Sequence, residues 1–394
     1  MSVAIYVTAA SWAAFAACAM AWTGETAPAP ADDTQPAPLA GAIRWDAWYG
    51  KEGAVKEVEQ SLGPRKYHFR LPFFAKVKSE AEVSIDGDSQ ETMDREIAYA
   101  GDAGLSYWAF VDYWDSKNLT IALRRYLEAK DKRGLRFCFV EEGGRLDAHR
   151  AEAWPRLIGY FKDLNYQMVL DGRPLLFVFG KPRKAGKQDF QALGEAATAA
   201  GLKKPYVVLM GWNPQNDFKD AQALGLDAVS AYGAGGQYAG EMWPYGQLTA
   251  HVKNAYWGAC RQHNIPTVTF AATGWDTRPR IEHPMSWTTW VKAKPDPTPP
   301  AEQKPLVDAV TATPGQLAAH IREALDWTRK NRDLNPANTV IIYAWNENDE
   351  GGWLIPTLNA DGSANTERLY ALRQVLRPGA APSSNPGPGG QPKP

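Results

Sequence analysis

Eight short strand-like runs, each followed by a stretch with helical periodicity, dominate the chain after residue 41. The runs are Ala42–Trp48, Tyr107–Asp112, Arg136–Val140, Leu175–Phe179, Tyr206–Met210, Ala228–Ser230, Thr267–Phe270 and Thr339–Ala344. They are continuously apolar rather than alternating, which is typical of parallel strands buried on both faces. Eight such units in one stretch predict an α/β fold, a (β/α)8 TIM barrel that forms a single domain with loop insertions.

The alternative architecture is an open, doubly wound sheet. Such a sheet usually carries a glycine-rich phosphate loop after its first strand. Here the first predicted strand runs into Trp45-Asp46-Ala47-Trp48-Tyr49-Gly50, which has no G-x-G-x-x-G pattern. The barrel is therefore favoured, with two long insertions expected at Tyr67–Asp88 and at the Pro- and Lys-rich Glu282–Asp308.

The two ends of the chain differ from the body in composition. Residues 1–23 are almost uncharged and rich in Ala, which predicts an export signal or an N-terminal anchor, followed by a linker over residues 24–40. Phe15-Ala16-Ala17-Cys18 weakly resembles a lipoprotein cleavage site. The catalytic barrel is expected over residues 41–377 and a disordered Pro/Gly-rich tail over residues 378–394. We expect a secreted or periplasmic protein, with anchoring by the N-terminal segment as the alternative.

Charge and metal-ligand spacing narrow the functional classes. The net charge of −1 gives no electrostatic basis for binding nucleic acid, and no membrane insertion is expected beyond the N-terminal segment. The six His show no ligand spacing, so neither a metal nor another cofactor is predicted. Cys138 and Cys260 are interpreted as buried apolar residues, with a disulfide as an unsupported alternative.

Aromatic and acidic residues recur where the predicted strands end. The chain has 16 Trp and 16 Tyr, which serve equally well in a core or as platforms for sugar rings. Active sites of TIM barrels form at the carboxyl ends of the strands. Any one residue there has a structural interpretation; Asp112, for example, fits a helix cap. Their convergence on one rim favours carbohydrate as the binding partner, with a predicted substrate-binding set of Trp45, Asp46, Trp48, Tyr49, Asp112, Trp114, Glu141, Glu142, Trp212, Tyr232, Trp275, Asp276, Arg280, Trp345 and Asn346.

The eighth strand ends in the most informative segment, Trp345-Asn346-Glu347-Asn348-Asp349-Glu350-Gly351-Gly352. Two Glu three residues apart, leaving a strand through a turn, can point into one cleft. Cleavage of a glycosidic bond commonly uses such a pair, one carboxyl as acid and the other assisting attack at the sugar. Glu347 and Glu350 are therefore the predicted catalytic residues, and a solvated or metal-binding loop is the alternative.

Several segments resemble a known family. The strand-eight segment, with Leu354-Ile355-Pro356 after it, is similar to the WNEW-x-EG … LEP segment of the WbsX-like group, which is related to glycoside hydrolase family 99. Residues 274–280, Gly-Trp-Asp-Thr-Arg-Pro-Arg, resemble that group's GWDNTPR segment. Met93–Phe110 and residues 46–50 resemble its first helix–strand unit and its YYPWYG opening. The resemblance covers roughly residues 42–376.

The resemblance implies a barrel that cleaves glycosides with retention, using the sugar 2-hydroxyl as a neighbouring group through a 1,2-anhydro sugar. By position it implies that Glu347 is the base that deprotonates this hydroxyl and that Glu350 is the acid that protonates the leaving group. It also implies sugar contacts by Trp275, Asp276, Arg280, Tyr232 and Trp48. Asn348 replaces the motif's second Trp, so one pocket wall is expected to differ. Trp45-Asp46 replace paired tyrosines, which leaves sugars other than mannose open.

The sequence thus predicts a retaining glycoside hydrolase that cleaves a polysaccharide or oligosaccharide outside the cytoplasm. A polysaccharide lyase or a glycosyltransferase on the same barrel is one alternative, and export disfavours the transferase because nucleotide-sugar donors are cytoplasmic in bacteria. A non-catalytic carbohydrate-binding protein is the other. The products formed from a polysaccharide distinguish all of these.

Overall fold

Eight parallel strands make up the central sheet in the computed structural model, which describes residues 36–51, 53–234, 243–287 and 310–379. Numbered along the chain, they are β1 (Leu39–Arg44), β2 (Tyr107–Val111), β3 (Arg136–Glu142), β4 (Arg173–Phe179), β5 (Tyr206–Gly211), β6 (Ala228–Ala231), β7 (Thr269–Ala272) and β8 (Thr339–Tyr343). Their order around the sheet is β7-β8-β1-β2-β3-β4-β5-β6, and a short ninth strand, Met168–Val169, pairs antiparallel with β4. A parallel bridge between Val229 of β6 and Thr267, just before β7, nearly closes the sheet. The predicted (β/α)8 barrel is confirmed.

The strands are buried on both faces, as their continuous apolar runs predict. All five residues of β2 and all five of β8 are buried. The first strand lies three residues earlier than its predicted start, because Leu39 pairs with Thr339 of β8 and Gly41 pairs with Tyr107 of β2. The strand ends at Arg44, so residues 45–48, which were predicted as its last part, lie outside it, although all four are buried.

Helices follow the strands on the outside of the barrel. Their ends carry capping residues that fit these positions: Ser89 accepts a hydrogen bond from the Thr92 amide at the start of α2, and Thr313 forms a capping box with Gln316 at the start of α10. A π-helical segment, Val252–Gly258, joins α7 to α8. The helices are α1 (Ala54–Leu62), α2 (Gln90–Ala103), α3 (Ile121–Glu128), α4 (Gly143–Phe161), α5 (Lys187–Ala199), α6 (Pro214–Leu224), α7 (Tyr245–His251), α8 (Ala259–His263), α9 (Arg278–Glu282), α10 (Pro314–Lys330) and α11 (Glu367–Leu376).

An insertion between β1 and α2 carries α1, a 3-10 helix (Arg65–Arg70) and a two-stranded ribbon (Lys76–Val77 with Val83–Ser84). It packs on the segment after β8, where the Phe73 amide donates to the Pro356 carbonyl at 2.9 Å. The insertion therefore sits beside the predicted catalytic turn. Of the second predicted insertion, Glu282–Asp308, residues 288–308 lie outside the described residues.

Contacts define a compact unit from Ala37 onward. The predicted export signal and most of the predicted linker and tail lie outside the described residues. Among the residues described, no helix is both long enough and apolar enough to cross a membrane. Cys138 and Cys260 are buried free thiols, so the alternative of a disulfide between them is wrong.

Candidate active site

A cavity of about 270 Å³ opens at the carboxyl ends of the barrel strands. A wider groove of about 650 Å³ lies on the outer helical layer and includes none of these strand ends. The smaller cavity is where aromatic rings and carboxylates converge, as the sequence predicts for the rim. Its lining residues are Trp45, Val111, Tyr113, Glu142, Phe179, Trp212, Tyr232, Trp275, Arg280, Trp287, Glu347 and Glu350.

Arg280 holds the acidic turn after β8 together. Its Nε donates to Asp349 Oδ2 at 2.6 Å, one terminal nitrogen donates to Glu350, and the other lies 3.4 Å from Glu347 Oε2. Both predicted catalytic carboxyls thus contact a single guanidinium. Arg280 also lies over the Trp45 ring, with its Cζ 5.1 Å from the ring centre. This contact fixes the guanidinium between the acidic turn and the end of β1.

Two tyrosine hydroxyls point at the same carboxyls. Tyr232 donates to Glu347 Oε1 at 2.6 Å, and Tyr343 donates to Glu350 Oε2. Glu347 is only 2% exposed, whereas the Glu350 side chain is 13% exposed. Burial, followed by the charge of Glu350, raises the pKa of Glu347 well above its usual range, although Arg280 and Tyr232 act in the opposite direction.

Two glycines let the loops after β7 and β8 approach each other. Gly351 has φ +83° and Gly274 has φ +156°, and a Cβ on Gly274 would lie 2.2 Å from the Gly351 carbonyl oxygen. The close approach lets the Asp276 amide donate to the Glu350 carbonyl at 2.6 Å. Any larger residue at Gly274 would push the Glu350 backbone out of position.

Asp276 and Asn348 lie behind the cavity wall. Asp276 is 2% exposed and accepts hydrogen bonds from Arg70 and Arg278. Asn348, also buried, donates to the Arg70 carbonyl at 2.5 Å, and Arg70 donates back to the Asn348 carbonyl at 3.3 Å. The Asn that replaces the motif's Trp therefore binds the insertion, and it is not among the residues that line the cavity.

The end of β1 contributes one side chain to the cavity, Trp45. The other predicted residues at this corner of the barrel are buried and have partners within the fold. Arg44 pairs with Asp46 at 2.7 Å and with Glu96 at 2.6 Å. Burial raises the pKa of Asp46 to about 6 despite Arg44. The predicted substrate-binding residues that the structure places behind the wall here are Asp46, Trp48, Tyr49, Trp345 and Asn346.

The ends of β2 and β3 hold a second acidic cluster. Asp112 and Glu141, 3% and 0% exposed, both pair with Arg156 of α4, at 2.5 and 2.7 Å. Burial and the charge of Asp112 raise the pKa of Glu141 well above its usual range. Glu142, the next residue, turns the other way: it lines the cavity and accepts from Tyr113 at 2.8 Å.

The aromatic residues form a connected wall. Trp212, 52% exposed, and Trp275 meet edge to face with ring centres 6.0 Å apart. Trp275 in turn packs on Tyr343 at 5.4 Å. Of the predicted aromatic set, Trp45, Trp212, Tyr232 and Trp275 line the cavity. Trp114 instead packs against His149 of α4. Contact of any of these residues with a sugar stays a prediction.

The sequence analysis missed several residues that support or line the site. Glu96 follows Met93 by three residues on the apolar face of α2, so an acidic residue at this buried position was the available signal. Its carboxylate binds Arg44, Tyr49 and Trp345. Tyr113, between Asp112 and Trp114 at the end of β2, had the signal of its place among the rim aromatics. Sequence patterns do not distinguish the other missed residues, Arg70, Phe179, Trp287 and Tyr343, from ordinary core or loop positions.

Among the residues described, no group of His, Cys, Asp and Glu has an arrangement that could hold a metal ion. The acidic turn is instead occupied by Arg280, which contacts all three of its carboxyls. In the described part of the chain, a cationic side chain thus takes the place that a metal ion would need at this turn.

Comparison with solved structures identifies proteins that share the fold. The GH99 endo-alpha-mannosidase from Bacteroides thetaiotaomicron matches with a TM-score of 0.50 at 15% identity, over 86% of this chain and 95% of that chain. A structure described as that enzyme in complex with BIS-TRIS-propane gives 0.49 at 15% identity, over 86% and 94%. At this identity the likeness shows a shared barrel fold.

No curated protein matches the chain in sequence. Residues 146–365, more than half of the chain, match the family described as Glycosyltransferase WbsX. The match begins within α4 and ends just before α11, and it includes both glutamates of the acidic turn. The resemblance inferred from the sequence motifs is confirmed, and the chain belongs to the WbsX family.

Proposed function

We propose that the protein is a retaining glycoside hydrolase that cleaves an oligosaccharide or polysaccharide outside the cytoplasm. The observation that carries the proposal is the pair Glu347 and Glu350, which contact one guanidinium at the mouth of the barrel. Carboxyl pairs at this end of a TIM barrel, faced by exposed aromatic rings, suit acid–base chemistry on a sugar.

The proposed roles follow family 99, to which the endo-alpha-mannosidase compared above belongs. Glu347 deprotonates the sugar 2-hydroxyl, which attacks the anomeric carbon and gives a 1,2-anhydro sugar. Glu350 protonates the leaving oxygen and then activates water. Glu347 must be ionised for this step, and burial raises its pKa. Activity should therefore rise with pH as Glu347 loses its proton.

The proposed role of Glu350 has the opposite protonation requirement. To act as an acid it must carry a proton, yet its two carboxyl oxygens accept from Arg280 and Tyr343. The proton that this role needs competes with these hydrogen bonds for the lone pairs of the two oxygens. We propose that the bound sugar draws Arg280 away from Glu350, which leaves this carboxyl free to donate to the leaving oxygen.

A glycosyltransferase is the second candidate, because the family description names one. Three carboxyl groups, of Glu142, Glu347 and Glu350, line the cavity with one guanidinium, of Arg280. Because carboxyl groups outnumber the guanidinium, the cavity disfavours binding of an anionic nucleotide-diphosphate donor. A positively charged site would attract such a donor. The charge of the lining therefore supports hydrolysis over transfer.

Product analysis tests the proposal. The protein is incubated with a panel of polysaccharides without any activated donor, and released sugars are separated by chromatography. We expect reducing sugars whose first-formed anomer, followed by NMR, keeps the configuration of the substrate. A Glu347→Gln/Glu350→Gln double variant controls for contaminating hydrolases.

Three results would contradict the proposal. An unsaturated sugar that absorbs in the ultraviolet would indicate a lyase, and product that appears only with a nucleotide sugar would indicate a transferase. Binding without any product would indicate a carbohydrate-binding protein. An inverted first product would overturn the retaining mechanism alone.

A further inference from the structure

Tyr343, the last residue of β8, approaches the proposed acid Glu350 from inside the barrel. Its side chain is fully buried and is not among those that line the active-site cavity. Its hydroxyl donates to Glu350 Oε2, whereas Glu350 Oε1 accepts from Arg280, which does line the cavity. The two oxygens of this carboxyl therefore differ: Oε2 faces a buried hydroxyl, and Oε1 faces a group that a ligand can reach.

Contacts on several sides fix the Tyr343 ring. The ring centres of Trp275 and Tyr232 lie 5.4 and 5.8 Å from its own. Gly352 leaves room for the ring, since a Cβ there would lie 2.3 Å from ring carbon Cε1. The Tyr343 carbonyl accepts from the amide and the hydroxyl of Thr273, each at 2.7 Å. Because both ring and backbone are held, the hydroxyl is in place before any ligand binds.

The Tyr343 hydroxyl also keeps its proton. Burial, followed by the charges of Glu350 and Glu347, raises the pKa of Tyr343 well above its usual range. The hydroxyl therefore remains a hydrogen-bond donor at neutral pH. A hydrogen bond to a charged acceptor is stronger than one to a neutral acceptor. The bond to Glu350 thus strengthens as this carboxyl becomes negative.

The proposed reaction makes Glu350 negative when it acts as the acid. The bond between the anomeric carbon and the leaving oxygen breaks, its electron pair stays on that oxygen, and the proton of Glu350 moves to it. A donor at Oε2 favours this change because it stabilises the carboxylate that forms. It also keeps the carboxyl from rotating when Arg280 is drawn away from Oε1.

We propose that Tyr343 is a positioning residue for the acid: it holds Glu350 Oε2, so that Oε1 carries the proton and donates it to the leaving oxygen. This inference rests on the proposed function. Tyr343 acts only through Glu350, because no ligand in the cavity reaches its buried side chain. Tyr232, which lines the cavity, makes the corresponding hydrogen bond to the proposed base Glu347.

The dependence of the rate on the leaving group distinguishes positioning of an acid from general damage to the site. A sugar alkoxide is a poor leaving group and needs the proton, whereas 2,4-dinitrophenolate leaves readily without one. The two substrates are an oligosaccharide cleaved in the polysaccharide panel and the 2,4-dinitrophenyl glycoside of the same sugar. The measured quantity is kcat/KM, which reports the steps up to bond cleavage.

Tyr343→Phe removes the hydroxyl and keeps the ring. We expect it to lower kcat/KM at least about tenfold on the oligosaccharide and less than about threefold on the aryl glycoside. Tyr232→Phe should lower both values by similar factors, because the sugar 2-hydroxyl must lose its proton with either leaving group.

Tyr126→Phe is the matched control for loss of a buried hydroxyl. Tyr126 is fully buried and donates to the Leu135 carbonyl at 2.7 Å, so this variant should keep both values within about twofold of wild type. Equal losses by Tyr343→Phe on the two substrates, or no loss on the oligosaccharide, would overturn the inference while hydrolysis by the wild type stands. A wild-type protein that cleaves neither substrate would overturn the proposed function, and the inference with it.

Discussion

Two places in this barrel contain the same components, two carboxyls held by an arginine. One is Glu347 and Glu350 with Arg280 at the end of β8; the other is Asp112 and Glu141 with Arg156 between β2, β3 and α4. In both, burial raises the pKa of a glutamate, Glu347 in the first and Glu141 in the second. Electrostatics alone therefore does not distinguish them.

Access and neighbouring hydroxyls do distinguish the two clusters. Glu347 and Glu350 line a cavity, and each accepts a hydrogen bond from a tyrosine hydroxyl. Asp112 and Glu141 line none of the cavities described above, and their carboxyls instead face the Arg156 guanidinium, at 2.5 Å from Asp112 Oδ2 and 2.7 Å from Glu141 Oε1. The first cluster can exchange protons with a ligand, whereas the second is suited to holding α4 against the barrel. A perturbed pKa indicates a functional site only when a ligand can reach the group.

The largest predicted difference between the two clusters is the effect of Glu-to-Gln variants on kcat. Glu347→Gln and Glu350→Gln should each lower kcat by about 10²–10⁴-fold, because each removes a proton-transfer group while keeping its shape. Oligosaccharide binding, measured by calorimetry, should change little. Glu141→Gln, the matched change in the buried cluster, should keep kcat within about fivefold. Comparable losses in all three variants would abolish the proposed distinction.

Loss of Arg156 should lower mainly the stability of the protein, whereas loss of Arg280 should also lower kcat. Arg156→Met leaves Asp112 and Glu141 buried without their cation, and such a change typically costs about 3–5 kcal/mol of unfolding free energy. Urea unfolding measures this loss, while kcat well below the midpoint of thermal unfolding should stay near wild type. Arg280→Met should lower kcat as well, because it releases both carboxyls of the proposed catalytic pair.

If Arg156→Met does not fold, Arg156→Lys, which keeps the charge, provides a milder test of the same cluster. A stable Arg156→Met protein with low kcat would mean that the buried cluster takes part in catalysis. Asp112 and Glu141 would then have a role in the reaction rather than in holding α4 against the barrel.

The sequence predicts the strands and helices of the barrel better than the directions of the side chains at its rim. Strand and helix periodicity fixes which segment is which element, so the eight strands and the position of Glu347 and Glu350 after β8 are recovered. Periodicity does not show which way a side chain turns once the strand has ended. Glu141 and Glu142 are adjacent and chemically identical, yet one is sealed against Arg156 and the other lines the cavity.

The contacts of the insertion show a second reason why the sequence does not predict every residue that supports the site. Arg70 is the last residue of the 3-10 helix in the insertion, more than 200 residues before its partners Asp276 and Asn348. Only the folded chain brings them together, because no local pattern records a contact of that separation. Asn348 illustrates the consequence: it was expected to change a pocket wall, and its amide instead bonds to the insertion.

The smallest expected effect is a change in how stability depends on pH. Glu141 ionises near pH 4.3 when unfolded (about the usual value for Glu) and at higher pH when folded, because burial and Asp112 raise its pKa. Between the two pKa values the folded protein binds one more proton than the unfolded chain. The free energy of unfolding should therefore fall as pH rises, by up to about 1.4 kcal/mol per pH unit.

Glu141→Gln should remove this part of the slope, since Gln does not titrate, so the variant should lose less stability than wild type as pH rises. Urea unfolding at several pH values above about 5 measures the difference. Glu152→Gln, an exposed position on α4, controls for the loss of one negative charge and should keep the wild-type slope. An unchanged slope in Glu141→Gln would mean that Glu141 is ionised inside the fold. All three groups of the buried cluster would then be charged. The cluster would differ from the pair Glu347 and Glu350 only in whether a ligand can reach it.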